Sequence, residues 1–230
     1  MKILSIVIPA YNEERFIGTL LERILAVDLS PVGYQRELIV IDDCSRDRTA
    51  GIVSAFSDVR LIRQAENGGK GRAVRAGIAA ATGDHVIIQD ADLEYDPADH
   101  VVMLREVVDR GAVVVYGSRY LATGKHAGQS WTAYLGGRSL SIVGYLLTGH
   151  YLTDTVTALK LFPRALIQSL DLVSGGFELD HEISAKVFAR GVKIVEVPVH
   201  YYPRTRAEGK KIGTRDWFVA IRTLWRWRAG

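Results

Sequence analysis

The sequence holds one cysteine, Cys44, so it forms no intramolecular disulfide and no cysteine-built zinc site. That usage fits a reducing compartment. No stretch approaches the ~20 apolar residues that cross a bilayer. The longest candidate, residues 142–149 (IVGYLLTG), is too short to span. The opening MKILSIVIPA is apolar only briefly, and YNEER follows with two acids and no small-residue cleavage site. It reads as a buried first strand, not a signal peptide. Six histidines (His85, His100, His126, His150, His181, His200) are scattered without metal-ligand spacing, and there is no Gly-x-Ser-x-Gly elbow. The 22 glycines and 6 prolines fall without period, which excludes a collagen-like or low-complexity chain.

What is present is a folded-protein balance: 48% hydrophobic and 24% charged residues over 230 positions, enough for one large domain or one domain plus a small appendage. The net charge of +3 is unevenly placed. Residues 201–230 hold eight Lys and Arg against two acids, so the rest of the chain is net negative. A basic end expects an anionic partner: phosphate, lipid headgroup or nucleic acid. Nucleic acid is the least supported, because the segment has no recognised binding motif and its aromatics share a helix face.

Short β-rich runs at residues 3–8, 37–41, 59–63, 85–89 and 112–116 alternate with helical patterns at 13–27, 47–56, 71–81 and 99–109. This alternation predicts an α/β fold with βαβ crossovers and a mostly parallel central sheet flanked by helices. The second half is less regular. It predicts an apolar helix at 130–148, an extended segment at 154–162, a short helix from Pro163, an amphipathic helix at 178–190 and a strand at 193–199. A basic loop (201–213) and an aromatic helix (216–228) follow.

In an open parallel sheet, ligands sit beyond the carboxyl ends of the strands. The first strand ends in Pro9-Ala10-Tyr11-Asn12-Glu13-Glu14, the second in Asp42-Asp43-Cys44-Ser45, the fourth in Asp90-Ala91-Asp92-Leu93-Glu94. Asp90 and Asp92, two apart in an extended segment, project to one side. They are either ligands for a hard cation, Mg²⁺ or Mn²⁺, with Glu94 extending the series, or a polar turn after a strand. Asn67 to Arg72 (NGGKGR) is a glycine-rich loop opening a helix: either its amides and Lys70 meet phosphate, or it is a tight turn. It matches neither a Walker A loop nor GxGxxG. Cys44 follows two acids, which raise a thiol pKa, so it reads as structural.

These pieces occur in a fixed order: SIVIPAYNEE (5–14), VIDDCSRDRT (40–49), NGGKGRAVRAG (67–77), GDHVIIQDADLEYDP (83–97) and GSR (117–119). LTDTVTALKLF (152–162), FELDHEISAKVFARG (177–191) and VPVHYYPRTRAEGKK (197–211) continue it. Together they resemble family 2 glycosyltransferases of the GT-A fold over nearly the whole chain, most of all polyprenyl-phosphate sugar synthases of the dolichol-phosphate mannose synthase kind. The resemblance implies one domain, 1–230. Residues 1–120 would be its nucleotide-sugar half, 121–212 its acceptor half, and 213–230 a C-terminal amphipathic helix.

It implies nucleotide contacts from Pro9, Tyr11 and Glu13, a nucleobase held by Asp42 and Asp43 with Ile41 beside it, and nucleotide and metal held at Asp90, Ala91 and Asp92. Glu94 stands where the family often has Gln. Cys44 stands where it usually has Gly or Asn, a change expected to matter little. Arg119, Arg138 and Ser141 resemble an acceptor-phosphate site, and Arg204 and Lys210 a basic pair closing over the donor phosphates.

The implied reaction is an inverting transfer of a hexose to a polyprenyl phosphate, with GDP-mannose the leading donor and a UDP-sugar, UDP-glucose first, the runner-up. An acceptor phosphate is already anionic near pH 7, since its second pKa is ~6, and needs positioning by cations more than a base. A saccharide hydroxyl would need one. Glu178, Asp180 and Glu182 are the candidates, although acids also favour a helix N-terminus. A nucleotide-binding regulator without activity is a third reading, disfavoured by the intact Asp90, Asp92, Arg119 and Lys210. Trp217, Ile221, Leu224, Trp225 and Arg228 share one helical face, which suits either a membrane surface or the body of the domain. The expected location is cytoplasmic, with peripheral membrane contact through this helix.

Overall fold

The computed structural model describes residues 1–121, 126, 131–203 and 214–228; the side chains of Ala133, Thr214 and Arg215 are also outside the description. β1 (Lys2–Ala10) runs through the middle of a seven-stranded sheet of order β3-β2-β1-β4-β6-β5-β7. Its residues from Leu4 to Ile8 are buried on both faces, as befits a central parallel strand. The two faces follow the strand period of two: Leu4, Ile6 and Ile8 join one core with α1 (Ile17–Ala26) and α4 (Asp99–Arg110). Val7 joins the other, with α3 (Lys70–Ala80), α6 (Arg164–Gln168) and α7 (Leu179–Ala189).

β2 (Tyr34–Asp42), β3 (Val59–Arg63) and β4 (His85–Ile88) are all parallel to their neighbours in this half. A 3₁₀ turn (Ser30–Val32) precedes β2, and α2 (Thr49–Ser54) connects β2 to β3. The chain then returns over the sheet through α3 to lay β4 on the other side of β1. The order therefore reverses at β1/β4, the position beyond whose carboxyl ends open α/β sheets hold their ligands.

β5 (Val114–Ser118) and β7 (Ile194–Pro198) are parallel to each other, but β6 (Lys160–Pro163) enters antiparallel between β4 and β5. The extended run expected over 154–162 is strand only at its end. Before that, the Asp154 carboxylate accepts the amides of Val156 and Arg119 and folds the segment into turns. The first helix also starts later than expected. The amides of Asn12, Glu13 and Glu14 bond to Ser45 Oγ, Thr49 Oγ1 and Asp47 Oδ2, which holds this stretch against the β2–α2 turn instead of in a helix.

α8 (Thr214–Trp227) packs across α5 (Trp131–Thr148) and α7. This covers the second side of α7, so the helix expected to be amphipathic is buried nearly all round. α8 turns Ala220, Thr223 and Leu224 inward and leaves Phe218, Arg222, Trp225 and Arg226 exposed. Trp225 thus departs from the single apolar face expected for it. Among the described residues no helix is long and apolar enough to cross a membrane.

Candidate active site

β1, β2 and β4 lie side by side and deliver their ends to one edge of the sheet. Each exits through a residue in the left-handed region: Asn12 at φ 55°, Cys44 at 62°, Leu93 at 58°. The first two turns are tied together, since Asn12 Oδ1 accepts the Arg46 amide at 2.9 Å.

The glycine loop brings Lys70 to Asp90. Lys70 Nζ lies 2.7 Å from Asp90 Oδ1 and 3.8 Å from Asp180 Oδ2. The other oxygen of Asp180, Oδ1, is 2.5 Å from Nζ of Lys160, a fully buried lysine that also donates to the Thr157 carbonyl. Lys160, Asp180, Lys70 and Asp90 thus form a ladder of alternating charge running from the core to the strand ends. Burial works against the Lys70 ammonium, but Asp90 and Asp180 beside it hold its pKa above the usual lysine range. Burial likewise disfavours the Asp180 carboxylate, yet the two lysines hold it below the usual carboxylate range. Burial lowers Lys160 in spite of its partner.

Two of the loop's amides are taken up by a protein carboxylate. Gly68 and Gly69 donate to the Asp43 carboxylate at 2.9 and 2.8 Å, and Arg72 N donates to the Gly175 carbonyl. The glycines answer to a close approach of backbone. A Cβ at Gly69 would stand 2.7 Å from Gly175 O, and one at Gly71 would stand 2.7 Å from Ser174 O. Of the two readings, the tight turn describes the Gly68 and Gly69 amides, while the Lys70 side chain meets Asp90 and the Asn67 side chain donates to the Asp43 carbonyl at 3.1 Å.

The other residues expected to contact the donor stand at the ends of β1, β2 and β4 in different settings. Ile41 and Ala91 turn their side chains into the core and can offer a ligand backbone alone. Asp42 is fully buried, with Arg63 Nε 3.4 Å from its carboxylate and the Ser45 amide bonded to it. Each oxygen of Asp43 already accepts a glycine amide. Pro9, Tyr11 and Glu13 are half-buried at the end of β1.

Asp92 Oδ1 accepts the Glu94 amide at 3.1 Å, and the Glu94 carboxylate accepts the Tyr201 hydroxyl at 3.1 Å. Among the described residues no three His, Cys, Asp or Glu side chains are gathered to hold a metal ion, so the expected trio of Asp90, Asp92 and Glu94 is not assembled. Glu94 is drawn aside because the segment around Tyr95 pairs with Tyr201, with Tyr202 N on the Glu94 carbonyl at 2.8 Å. Arg204 and Lys210 lie outside the described residues.

A second cluster stands on β5, α5 and the turns before β6. Arg119 grips the buried Asp154 with two nitrogens, at 2.6 and 2.7 Å. Arg138 donates to the Thr153 carbonyl at 2.9 Å and to the Tyr151 hydroxyl at 2.7 Å. Ser141 is fully buried, and its hydroxyl points to the Gly137 and Thr153 carbonyls, so it braces the Thr153 corner instead of facing a cleft. Glu196 carries no motif signal in the sequence. It accepts the amides of Thr153 and Asp154 and the Thr153 hydroxyl, and burial raises its pKa.

Of the three candidate bases, Glu182 accepts the Val173 and Ser174 amides and pairs with Lys186, while Glu178 accepts the Gly176 amide. Only Asp180 faces the charge ladder. His181 and His100 are buried, which pushes each down to about 4.

The family model for glycosyl transferase family 2 matches residues 5–169. The chain belongs to glycosyl transferase family 2. It is 31% identical over 232 residues to a dolichol-phosphate mannosyltransferase of Pyrococcus furiosus, an alignment covering 96% of this chain and 62% of that protein. It thus spans less than two thirds of that relative's length. An uncharacterized glycosyltransferase of Mycobacterium bovis is 30% identical over 224 residues, 96% of each.

Among solved structures, glucosyl-3-phosphoglycerate synthase of Mycobacterium tuberculosis in complex with Mn²⁺, UDP-glucose and phosphoglyceric acid superposes with a TM-score of 0.71 at 21% identity. The match covers 99% of this chain and 80% of that one. Mannosyl-3-phosphoglycerate synthase of Rubrobacter xylanophilus matches with a TM-score of 0.70 at 18% identity, over 98% and 72%. At such identities these matches establish the fold, which is that of GT-A glycosyltransferases.

Proposed function

We propose that the chain is an inverting, metal-dependent hexosyltransferase that moves a hexose, mannose from GDP-mannose first, onto a polyprenyl phosphate. The observation that carries this reading is the state of Asp180. It is the one candidate base facing the strand ends, and it is held between two lysines that depress its basicity. A clamped carboxylate serves a hydroxyl acceptor poorly. An acceptor phosphate arrives deprotonated and needs only cations to place it in line. The Pyrococcus relative, named for a lipid-phosphate acceptor, supports the same class.

The donor lies, in this reading, over Pro9, Tyr11, Glu13 and Asp43, with residues 1–120 as the donor half and 121–212 as the acceptor half of one domain. Asp90 and Asp92 offer only carboxylate oxygens, the donor type of a hard divalent cation. Two protein carboxylates completed by substrate phosphates are a common Mg²⁺ arrangement, and this accounts for the lack of a pre-gathered trio. Mg²⁺ or Mn²⁺ bound there would neutralise charge on the departing diphosphate. Lys70 would add a positive charge nearby, and Arg204 and Lys210 two more. Arg119, oriented by Asp154, and Arg138, oriented by Thr153, direct the acceptor phosphate.

Membrane contact has its own support. α8 exposes Phe218 and Trp225 beside Arg222 and Arg226, and the adjoining α5 exposes Trp131, Leu135, Ile142 and Leu146.

Purified protein with labelled GDP-mannose, Mn²⁺ and polyprenyl phosphate should yield a label extractable into organic solvent, and Asp92→Ala should abolish it. UDP-glucose in the same assay tests the runner-up donor, which the UDP-glucose complex of a fold neighbour favours. Transfer to an oligosaccharide hydroxyl, with none to the lipid, would overturn the reading.

A further inference from the structure

The Lys70–Asp90 pair has a consequence for metal binding, and the inference rests on the proposed role of Asp90. Lys70 Nζ sits within hydrogen-bonding distance of both oxygens of Asp90, 2.7 Å from Oδ1 and 3.0 Å from Oδ2. It therefore occupies the carboxylate that a divalent cation would use. A second carboxylate waits nearby. Asp180 Oδ2 is 3.8 Å from the same ammonium, while Asp180 Oδ1 is already engaged by Lys160. Lys160 is fully buried and cannot leave without exposing an unpaired charge to the core. Lys70 is half-buried on a flexible four-carbon stem at the first turn of α3, so it is the member of the ladder that can move.

We infer that Lys70 is the metal-free protein's own counter-ion for Asp90, a built-in competitor that a divalent cation must displace toward Asp180. Two like charges cannot share one carboxylate at this range without repulsion. The pairing keeps Asp90 compensated when no metal is bound, and it weakens metal binding until the donor's phosphates add their own ligands. Metal and donor would then bind together more readily than metal alone.

The experiment is Mn²⁺ binding to the nucleotide-free protein, followed by the electron paramagnetic resonance signal of free Mn²⁺. Lys70→Met removes the competitor and should bind Mn²⁺ at least about tenfold more tightly than wild type. Lys70→Arg replaces a point charge with a fork that grips both oxygens, and should bind it more weakly than wild type. Circular dichroism checks folding, and Lys70→Arg keeps the test open if the methionine variant does not fold. If wild type binds Mn²⁺, Asp92→Asn loses it, and Lys70→Met binds no tighter than wild type, the inference is overturned and the metal site stands. If Lys70→Met shows no binding up to millimolar Mn²⁺, the inference is also overturned. The transferase reading is then judged separately by Mn²⁺-dependent transfer.

Discussion

Lys160 offers the sharpest test of the charge ladder. Its ammonium has no access to solvent, and its charged partner is one oxygen of Asp180. Lys160→Met keeps the length and volume of the stem and deletes the charge. The side chain itself gains from this change, because burial already disfavours its charged form. Asp180 loses its nearer cation and keeps only Lys70, at 3.8 Å. Removing one partner of a buried pair typically costs about 3–5 kcal/mol. Lys70 can close on the vacated carboxylate, so the expected loss is smaller, about 2–4 kcal/mol.

Urea unfolding followed by tryptophan fluorescence and by circular dichroism measures it. With a slope near 3 kcal/mol per molar, the midpoint should fall by roughly 1 M. The double variant Lys160→Met/Asp180→Leu, which removes both charges, should recover most of the loss. There is also a pH signature. The Asp180 pKa lies below its ordinary value of 3.8, so its stabilisation is present above that pH and is lost as pH falls through the folded value. That acid dependence should shrink in Lys160→Met. A midpoint within about 0.2 M of wild type, or a double variant weaker than the single, would refute the ladder as a buried, coupled unit.

Three further outcomes are expected. Cys44 carries φ 62° and its thiol has one distant contact, Ala65 O at 3.9 Å, so Cys44→Gly should raise stability by about 0.5–1 kcal/mol in thermal unfolding; a loss would contradict the strain argument. His200 donates from its ring to the buried Asp99, at 2.9 Å, and is raised above 6.5 by that bond. Its stabilisation is full below pH 6.5 and disappears as pH rises through the folded value, so stability should decline slightly between pH 6 and 9 in wild type and not in His200→Ala. The exposure of the ring keeps this effect below about 1 kcal/mol. Replacing Phe218 and Trp225 together by Ala should abolish sedimentation with vesicles of anionic lipid while changing stability by less than about 0.5 kcal/mol; unchanged sedimentation would remove α8 from the membrane contact.

The parallel half of the fold is legible because burial on both faces leaves a signature along the chain. Residues 3–8 and 37–41 are near-continuous apolar runs, and both lie within strands of the observed sheet. β6 is not legible in the same way. Four residues suffice for it, and its direction depends on turns built by the Asp154 carboxylate, a contact that no periodicity reports. The site divides on the same line. Strand position places Asp90 and Asp92 just past the end of β4, but the chain bends from Ala91 onward, so their i, i+2 spacing does not by itself aim both carboxylates to one side. Which groups answer them depends on pairings made across the fold. Lys70 reaches a carboxylate twenty residues away, and Lys160 is met by an aspartate on another element. A lysine inside an apolar strand reads as a flaw in the pattern. Buried beneath Asp180, it is the charge that lets the aspartate stay ionised in the core. Asp180 in turn steadies Lys70, the cation that meets Asp90 beyond the end of β4.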